Sequence, residues 1–454
     1  MVDSTPQRKL AIPRLSSLIG HRGRSIANTA AWSLAAKMAS AANLFVAVPF
    51  VLSDLGPMEF GAWVTLVSLV YFAGFLDFGF GNGTMNLVAA AHARGASGEV
   101  AIILREGRRT LAKVAAWLAL AVLVALPLVP WHHLLGLPVE MAGHCRLASA
   151  AVLFSIVVAV PLNLANRVQL GLGRGERAFR WQTAGQLFTL VVVAALAHAG
   201  SSLPVLTLAA VGTPLLASAC NTISLRRDPA LQISANLPRQ ADIAARIHHE
   251  GLLFFVMQLA AALAFSADLP LISALRDPAQ AGVYAIVQRL FSVIPLSLSL
   301  VWAPLWPIYR HALTAEHHVW ATRTLRRSVV MAVCLASGVG SLIVIGFDWI
   351  TGFWIHRVLG VATPMLVGFA IWSVFEAAGT ALATFLNAAS VMRFQVITAS
   401  TFAMLCFTCK AWTIPNLGVE WLPWVTATTW SITSALPFLW FRKRIIADIF
   451  AKKY

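Results

Sequence analysis

Asn28-Thr29-Ala30-Ala31-Trp32-Ser33-Leu34-Ala35-Ala36-Lys37-Met38-Ala39-Ser40-Ala41-Ala42-Asn43-Leu44-Phe45-Val46-Ala47-Val48-Pro49-Phe50-Val51-Leu52 is an apolar run long enough to cross a bilayer, with one lysine inside it. A charge at bilayer depth costs ~3 kcal/mol on insertion scales, so it normally faces water or a partner. Asp77, Arg289 and Glu376 lie inside other apolar runs of the same chain. Many membrane-length runs holding charge of both signs are the pattern of a transporter.

The rest of the sequence extends that reading. The 454 residues are 59% hydrophobic and only 11% charged, with a mean hydropathy of +0.76. Soluble domains carry about 25% charged residues. The runs are continuous instead of alternating, which predicts an all-α integral membrane protein and excludes a closed β-barrel. Twelve spans are read at 28–52, 59–80, 111–130, 147–170, 181–199, 203–225, 250–273, 282–305, 328–347, 361–387, 395–415 and 419–441. The basic N-terminal segment leads into a run longer than a signal-peptide core, which predicts a retained first span.

Lys and Arg test the count. With the N-terminus cytoplasmic, 28 of the 34 cations fall in cytoplasmic segments. Arg146, Arg276, Arg357 and Lys410 fall opposite, and Lys37 and Arg289 lie within the membrane. This loop-by-loop alternation predicts both termini inside and an even number of spans. It also accounts for the net charge of +16 through contact with anionic lipid, without nucleic acid. The organisation expected is a basic segment 1–27, a first six-helix lobe 28–225, a linker 226–249, a second lobe 250–441 and a basic tail 442–454. Ala315–Arg327 and Asp242–His249 read as short amphipathic surface helices. Cys406 and Cys409 form a C-x-x-C inside a span and read as packing residues, not a metal or redox site.

The two halves resemble each other. Pro57, Gly61 and Trp63 recur as Pro278, Gly282 and Tyr284 at a constant offset of 221 residues. Each set begins the second span of its half, so the repeat is parallel, with its pseudo-axis along the membrane normal. Lys37 then corresponds to Gln258, and Ser68 to Arg289.

Several stretches carry a family resemblance: Leu55-Gly56-Pro57-Met58-Glu59-Phe60-Gly61 with Trp63, Leu76-Asp77-Phe78-Gly79-Phe80-Gly81, and Arg167-Val168-Gln169-Leu170-Gly171-Leu172. Ala281-Gly282-Val283-Tyr284 through Gln288-Arg289, Trp302 to Pro307, and Phe385-Leu386-Asn387 with Arg393 and Gln395 continue it. In these the sequence resembles the polysaccharide, or lipid-linked oligosaccharide, flippases of the multidrug/oligosaccharidyl-lipid/polysaccharide exporter superfamily. The resemblance implies two pseudo-symmetric six-helix lobes around a central cavity in a bacterial inner membrane. It also implies alternating access for an undecaprenyl-pyrophosphate-linked glycan. Lipid II flippases of the superfamily carry two additional spans, which are not found here.

Such a cargo needs cations for its phosphates and polar or aromatic groups for its sugars. Lys37 lies about 13 Å above the cytoplasmic end of its span, with Ser33 and Ser40 on the same helix face. Arg289, accompanied by Tyr284, Gln288 and Ser292, offers a guanidinium fork that matches phosphate. Glu376 stands in a stripe of Ser373, Thr380, Thr384 and Asn387 on one face of its helix. The substrate-binding set expected is therefore Lys37, Arg289, Gln288, Tyr284, Gln258 and Asn387. Glu376 is read as a site for proton or sodium coupling, or as a fixed ion pair. Asp77 is read as a structural or gating group, either accepting N–H bonds at the following glycines or pairing with arginines. Pro304 and Pro307, each removing a helix hydrogen bond, mark a candidate hinge. Asp268 reads as an interfacial charge. Asn163, Asn166, Gln169, Gln182 and Gln186 could contact hydroxyls or bond between helices.

No metal or organic cofactor is expected. The partners expected are the lipid-linked oligosaccharide and anionic lipids, with a polysaccharide polymerase and glycosyltransferases alongside a monomeric carrier. Two rivals stand beside this reading: a cation-coupled drug exporter of the same superfamily and a non-transporting envelope-assembly protein or polymerase. Short outer loops weigh against the latter. General twelve-span sugar and drug porters are disfavoured because Gly83 to Gly95 lacks their Asp-Arg-x-Gly-Arg signature.

Overall fold

The computed structural model describes residues 15–70, 76–228, 231, 241–389 and 391–451. Among them it is helical throughout, and eight helices are long and apolar enough to cross a membrane, or nine when the bent pair Gln258–Ser266 and Asp268–Leu275 is counted. The first helical stretch, Leu15–Ser68, breaks at Gly56 (φ 71°, ψ 173°) into α1 (15–55) and α2 (57–68). The 41 apolar residues from Asn28 to Ser68 would measure about 60 Å unbroken, twice a ~30 Å hydrocarbon core, so they form parts of two spans. Next among the described residues comes α3 (Phe80–Ala93), after a turn at 76–79. It is followed by α4 (Ser97–Leu128), α5 (Ala142–Leu162), α6 (Leu164–Gly171), α7 (Gly175–His198) and α8 (Leu203–Arg226).

The second half repeats the plan. α9 (Ala241–Ala261) passes through a π turn at Ala262–Ser266 into α10 (Asp268–Leu275). Then come α11 (Pro278–Phe291), α12 (Val293–Thr314), α13 (His318–Ile355), α14 (Thr363–Ala388) and α15 (Met392–Asn416). The last span is α16 (Leu422–Trp430), a second π turn at Ser431–Ala435, and α17 (Leu436–Ala451). Counting α5–α6, α9–α10, α11–α12 and α16–α17 as one span each, and α2 with α3 although residues 71–75 between them lie outside the described residues, these elements are consistent with twelve spans.

The repeated motif starts its helix by two different devices. In the first half Gly56 turns through a positive φ ahead of Pro57, whose missing N–H costs nothing in a first turn. In the second half the Asp277 carboxylate accepts the Ala279 N–H at 2.8 Å, and Pro278 begins α11. The two copies then pack directly on each other. A Cβ on Gly61 would overlap the carbonyl oxygen of Pro278, and one on Gly282 would press on Phe60.

Several connections are shorter than the sequence suggests. Residues 81–110, read as a loop, are α3 and the start of α4, joined by a tight turn in which Gly95 takes φ 73°. Ala315 to His317 form the turn before α13, which includes Arg323, Arg326 and Arg327. Asp242–His249 is the first part of α9 and continues into the span. The basic residues therefore sit on helix ends that run past the apolar core. The same holds for segment 15–27, continuous with α1, and for residues 442–451 of α17. Residues 1–14 and 452–454, and 229–230 and 232–240 of the inter-lobe linker, lie outside the described residues.

Packing is uneven along the molecule. At the end away from most of the arginines, a single buried apolar cluster joins both lobes, from Val48, Phe60 and Leu206 to Ile272, Ala285 and Phe369. At the basic end the clusters separate. One holds Leu87, Val100, Leu104 and Val168, reaching only Ile243 and Ile247 of α9; another holds Tyr309, Leu313, Ala321 and Phe385. The lobes thus share one apolar core at one end, while at the other the clusters are separate and the lobes meet along α9, where Gly251 touches Gly79 and Phe255 lies 5.1 Å from Phe78. Ile345, Trp349, Phe353 and Trp440 stand exposed on the outside, an apolar surface suited to lipid.

Candidate functional site

Between the lobes, four adjoining cavities form a chamber. One of about 450 Å³ includes Lys37, and one of about 730 Å³ includes Arg167 and Arg289. A third, of about 370 Å³, includes Arg289 and Glu376 of the second lobe and is closed on the other side by Leu44, Val64, Val67 and Ser68 of the first. The fourth, about 500 Å³, lies in the first lobe beside Asp77 and Arg167. Leu44 borders the first three, and Asn163 and Arg167 border both the second and the fourth.

Lys37 is half-buried on α1, and its ammonium donates to the Ser299 hydroxyl of α12 at 3.0 Å, reaching across from one lobe to the other. Ser33 and Ser40, one turn to either side, line the same cavity. Hydrogen bonding to a neutral hydroxyl leaves the lysine charge without a carboxylate, as no ion pair forms there among the described residues. Such a cation is available to an anionic guest.

The first-lobe wall is rich in amides. The Asn43 amide donates to Gln186 at 2.9 Å, and Gln182 and Asn163 border the chamber beside them. Asn166 accepts from Asn221 at 2.6 Å, and Asn221 accepts from the buried Gln169 at 2.7 Å. Gln169 is thus spent on holding α6 to α8, whereas Gln182 and Gln186 face the cavity. Asp77 accepts the N–H groups of Gly79 at 2.8 Å and Gly81 at 3.2 Å, where Phe78 and Gly79 both take positive φ. Its carboxylate caps the start of α3 and also borders the fourth cavity near Arg167.

The second-lobe recess combines charge with aromatic surface. Gln288 and Arg289 face it from α11, and Ser373 and Glu376 from α14. Phe265, Phe291, Phe369 and Trp372 supply its aromatic surface, and Val64, Val67 and Ser68 of the first lobe face them. Phe265 and Trp372 lie 5.9 Å apart between ring centroids, and Phe291 stacks on Phe369 at 5.5 Å. Trp372 is one helical turn before Glu376, on the same face. Among the described residues no ion pair joins Glu376 to Lys37 or Arg289.

Three expected cavity residues are elsewhere. Tyr284 is fully buried, and its hydroxyl donates to Asp268 at 2.9 Å. Asn387 accepts from the Gln395 amide at 2.9 Å near the end of α14 and borders none of these cavities. Gln258 sits on α9 outside the chamber, its carbonyl oxygen buried without a hydrogen bond. The polar stripe also fades beyond Glu376, because the Thr380 and Thr384 hydroxyls turn back onto carbonyls of their own helix. Pro304 and Pro307 fall within the continuous helix α12, and their side chains lie outside the described residues; the break in this span comes earlier, at Ser292.

Two features escaped the sequence reading. Arg167, near the inner end of the run 147–170 and counted there among the cytoplasmic cations, borders two of the cavities. Lys410, assigned to the outer side, and Asp268, read as interfacial, form a buried ion pair at 2.6 Å. The Lys410 ammonium also donates to the Ala264 carbonyl at 3.0 Å, in the π turn. The signal was present: Lys410 falls inside the run 395–415 and Asp268 inside 250–273. Two opposite charges, each within its own apolar run, call for each other.

No known family model matches the chain, and no curated protein matches it. Solved structures do. The chain is similar to an inward-facing multidrug resistance MATE family transporter of the MOP superfamily, with a TM-score of 0.75 and 16% identity over 90% of this chain and 95% of that one. An outward-facing structure of the same description gives 0.61 at 15% identity, over 94% and 96%. A MOP superfamily transporter from Pyrococcus furiosus, described as having a binding pocket of reversed polarity, gives 0.63 at 15% identity over 94% and 96%. The two-lobed all-helical architecture is therefore that of the MATE transporters of the MOP superfamily, and this chain overlays better on the inward-facing form than on the outward-facing one.

Proposed function

We propose that this protein is a flippase that carries an undecaprenyl-pyrophosphate-linked oligosaccharide across a bacterial inner membrane for surface polysaccharide synthesis. The observation that carries the reading is the presence of Lys37, Arg167 and Arg289 on the walls of one chamber between two lobes. A lipid pyrophosphate is a polyanion, and guanidinium and ammonium groups compensate it where water is scarce. The amide wall of Asn43, Asn163, Gln182 and Gln186 suits sugar hydroxyls. With the basic end cytoplasmic, the chamber opens toward newly made glycolipid, and rocking of the lobes would present it to the other leaflet. Glu376 is the assigned site for a coupling proton or sodium ion. A polymerase and glycosyltransferases would act on either side of this step, with anionic lipids at the basic helix ends and the carrier itself a monomer.

Replacing Lys37 or Arg289 by Ala should abolish surface polysaccharide in cells while membrane insertion stays intact. Normal polysaccharide output from both variants would refute the assignment. A second reading, export of organic cations, is favoured by what its structural neighbours are and by the lone carboxylate among aromatic rings. Growth in cationic dyes with and without the gene tests it; three cations in the chamber weigh against it.

A further inference from the structure

The chamber is not uniformly cationic. Its first-lobe side carries Lys37 and Arg167, whereas the second-lobe recess sets Glu376 among aromatic faces with Arg289 on the same wall system. At about 370 Å³ the recess is within the ~300–1,000 Å³ range of small-molecule sites. Glu376 receives no N–H or O–H from the protein among the described residues. A carboxylate removed from bulk water without such donors stays ionised only beside a counter-charge and otherwise takes up a proton, and the Trp372 and Phe265 rings that line the same recess are of the kind that attract a cation.

We infer that the recess binds a sugar bearing a protonated amine, the amine at Glu376 and Trp372 and a neighbouring acidic group of the same cargo at Arg289. The inference rests on the glycolipid reading above and narrows it to a zwitterionic, amino-sugar-containing oligosaccharide. The amine is the counter-ion of Glu376 in the loaded state, and the small coupling cation takes that place when the recess is empty. Neutral hydroxyls alone would not require a carboxylate at this position, because Gln serves them equally well.

The test uses the purified full-length protein titrated with glucosamine 1-phosphate, N-acetylglucosamine 1-phosphate and inorganic pyrophosphate, followed by the shift in thermal unfolding. The free-amine sugar should bind about tenfold more tightly than its acetylated counterpart, and Glu376→Gln should bring the two together. Equal affinities in the wild-type protein, or a preference that survives Glu376→Gln, overturn the inference and leave the phosphate-binding reading standing. Binding of pyrophosphate without either sugar phosphate has the same meaning. If none of the three binds, the glycolipid reading falls and the inference with it. Should the Gln variant fail to fold, the wild-type ratio of the two sugar phosphates still decides.

Discussion

Lys410→Met should be among the most destabilising single substitutions in the second lobe. The ammonium lies 2.6 Å from Asp268 and 3.0 Å from the Ala264 carbonyl, and Tyr284 holds the other carboxylate oxygen at 2.9 Å. The two charged side chains are only 1% and 5% exposed, so water does not screen the pair. Removing one partner of such a pair leaves the other buried and uncompensated, which costs about 3–5 kcal/mol. At about 1.4 kcal/mol per decade, the unfolding equilibrium shifts by roughly two to three and a half decades. Detergent-micelle unfolding with increasing SDS measures this directly. Asp268→Asn should be similarly damaging. The double variant Lys410→Met/Asp268→Asn should recover to within about 1 kcal/mol of wild type, since no uncompensated charge remains. Lys443→Met, at an exposed position of α17, is the control, with an effect within about 0.5 kcal/mol. A Lys410→Met loss under 1 kcal/mol, or a double variant as unstable as the worse single one, would show that the pair is not the isolated unit its geometry indicates.

Two further outcomes follow from the packing of the lobes and the cap of α3. Gly61→Ala places a methyl group on the Pro278 carbonyl and should wedge the converged end apart; a cysteine at Ser68, in a background without the native cysteines, should then react faster with an impermeant maleimide added outside, and unchanged labelling would refute the wedge. Asp77→Ala removes the acceptor for two N–H groups at the start of α3 and should cost about 0.5–2 kcal/mol; hydrogen exchange at residues 79–84 should quicken, and protection equal to wild type would count against the capping role.

The sequence carried the site best where a charge interrupts an apolar run. Lys37, Arg289 and Glu376 stand out for that reason, and all three border the chamber. It failed where a polar group finds its partner on another element. Tyr284 carries a hydroxyl next to the chamber in sequence, but Asp268 takes that hydroxyl into the core. Asn387 is similarly taken by Gln395. Hydropathy alone could not reveal that α3, α4 and α13 run on past the membrane, because helix formation outside lipid depends on packing between helices, not on apolar content. The plan was legible where a run is long and apolar enough to stand alone, as eight helices are, or nine with the bent pair, among the described residues. That the halves touch through their matching glycines was not, since a repeat gives equivalence and not contact.

The glycine seam at Gly61 and Gly282 has a consequence for energetics. At Gly61 the facing atoms are backbone alone, so closing this point of the edge freezes few rotamers and carries little entropic penalty. Its stability comes instead from the apolar residues around it, which must be surrendered whenever the edge opens. A population poised between two such arrangements answers steeply to small inputs, since about 5.5 kcal/mol of differential affinity carries it from one extreme to the other. A methyl group added at Gly61 acts on this edge directly, where the facing carbonyl of Pro278 is backbone and has no rotamer by which to give way.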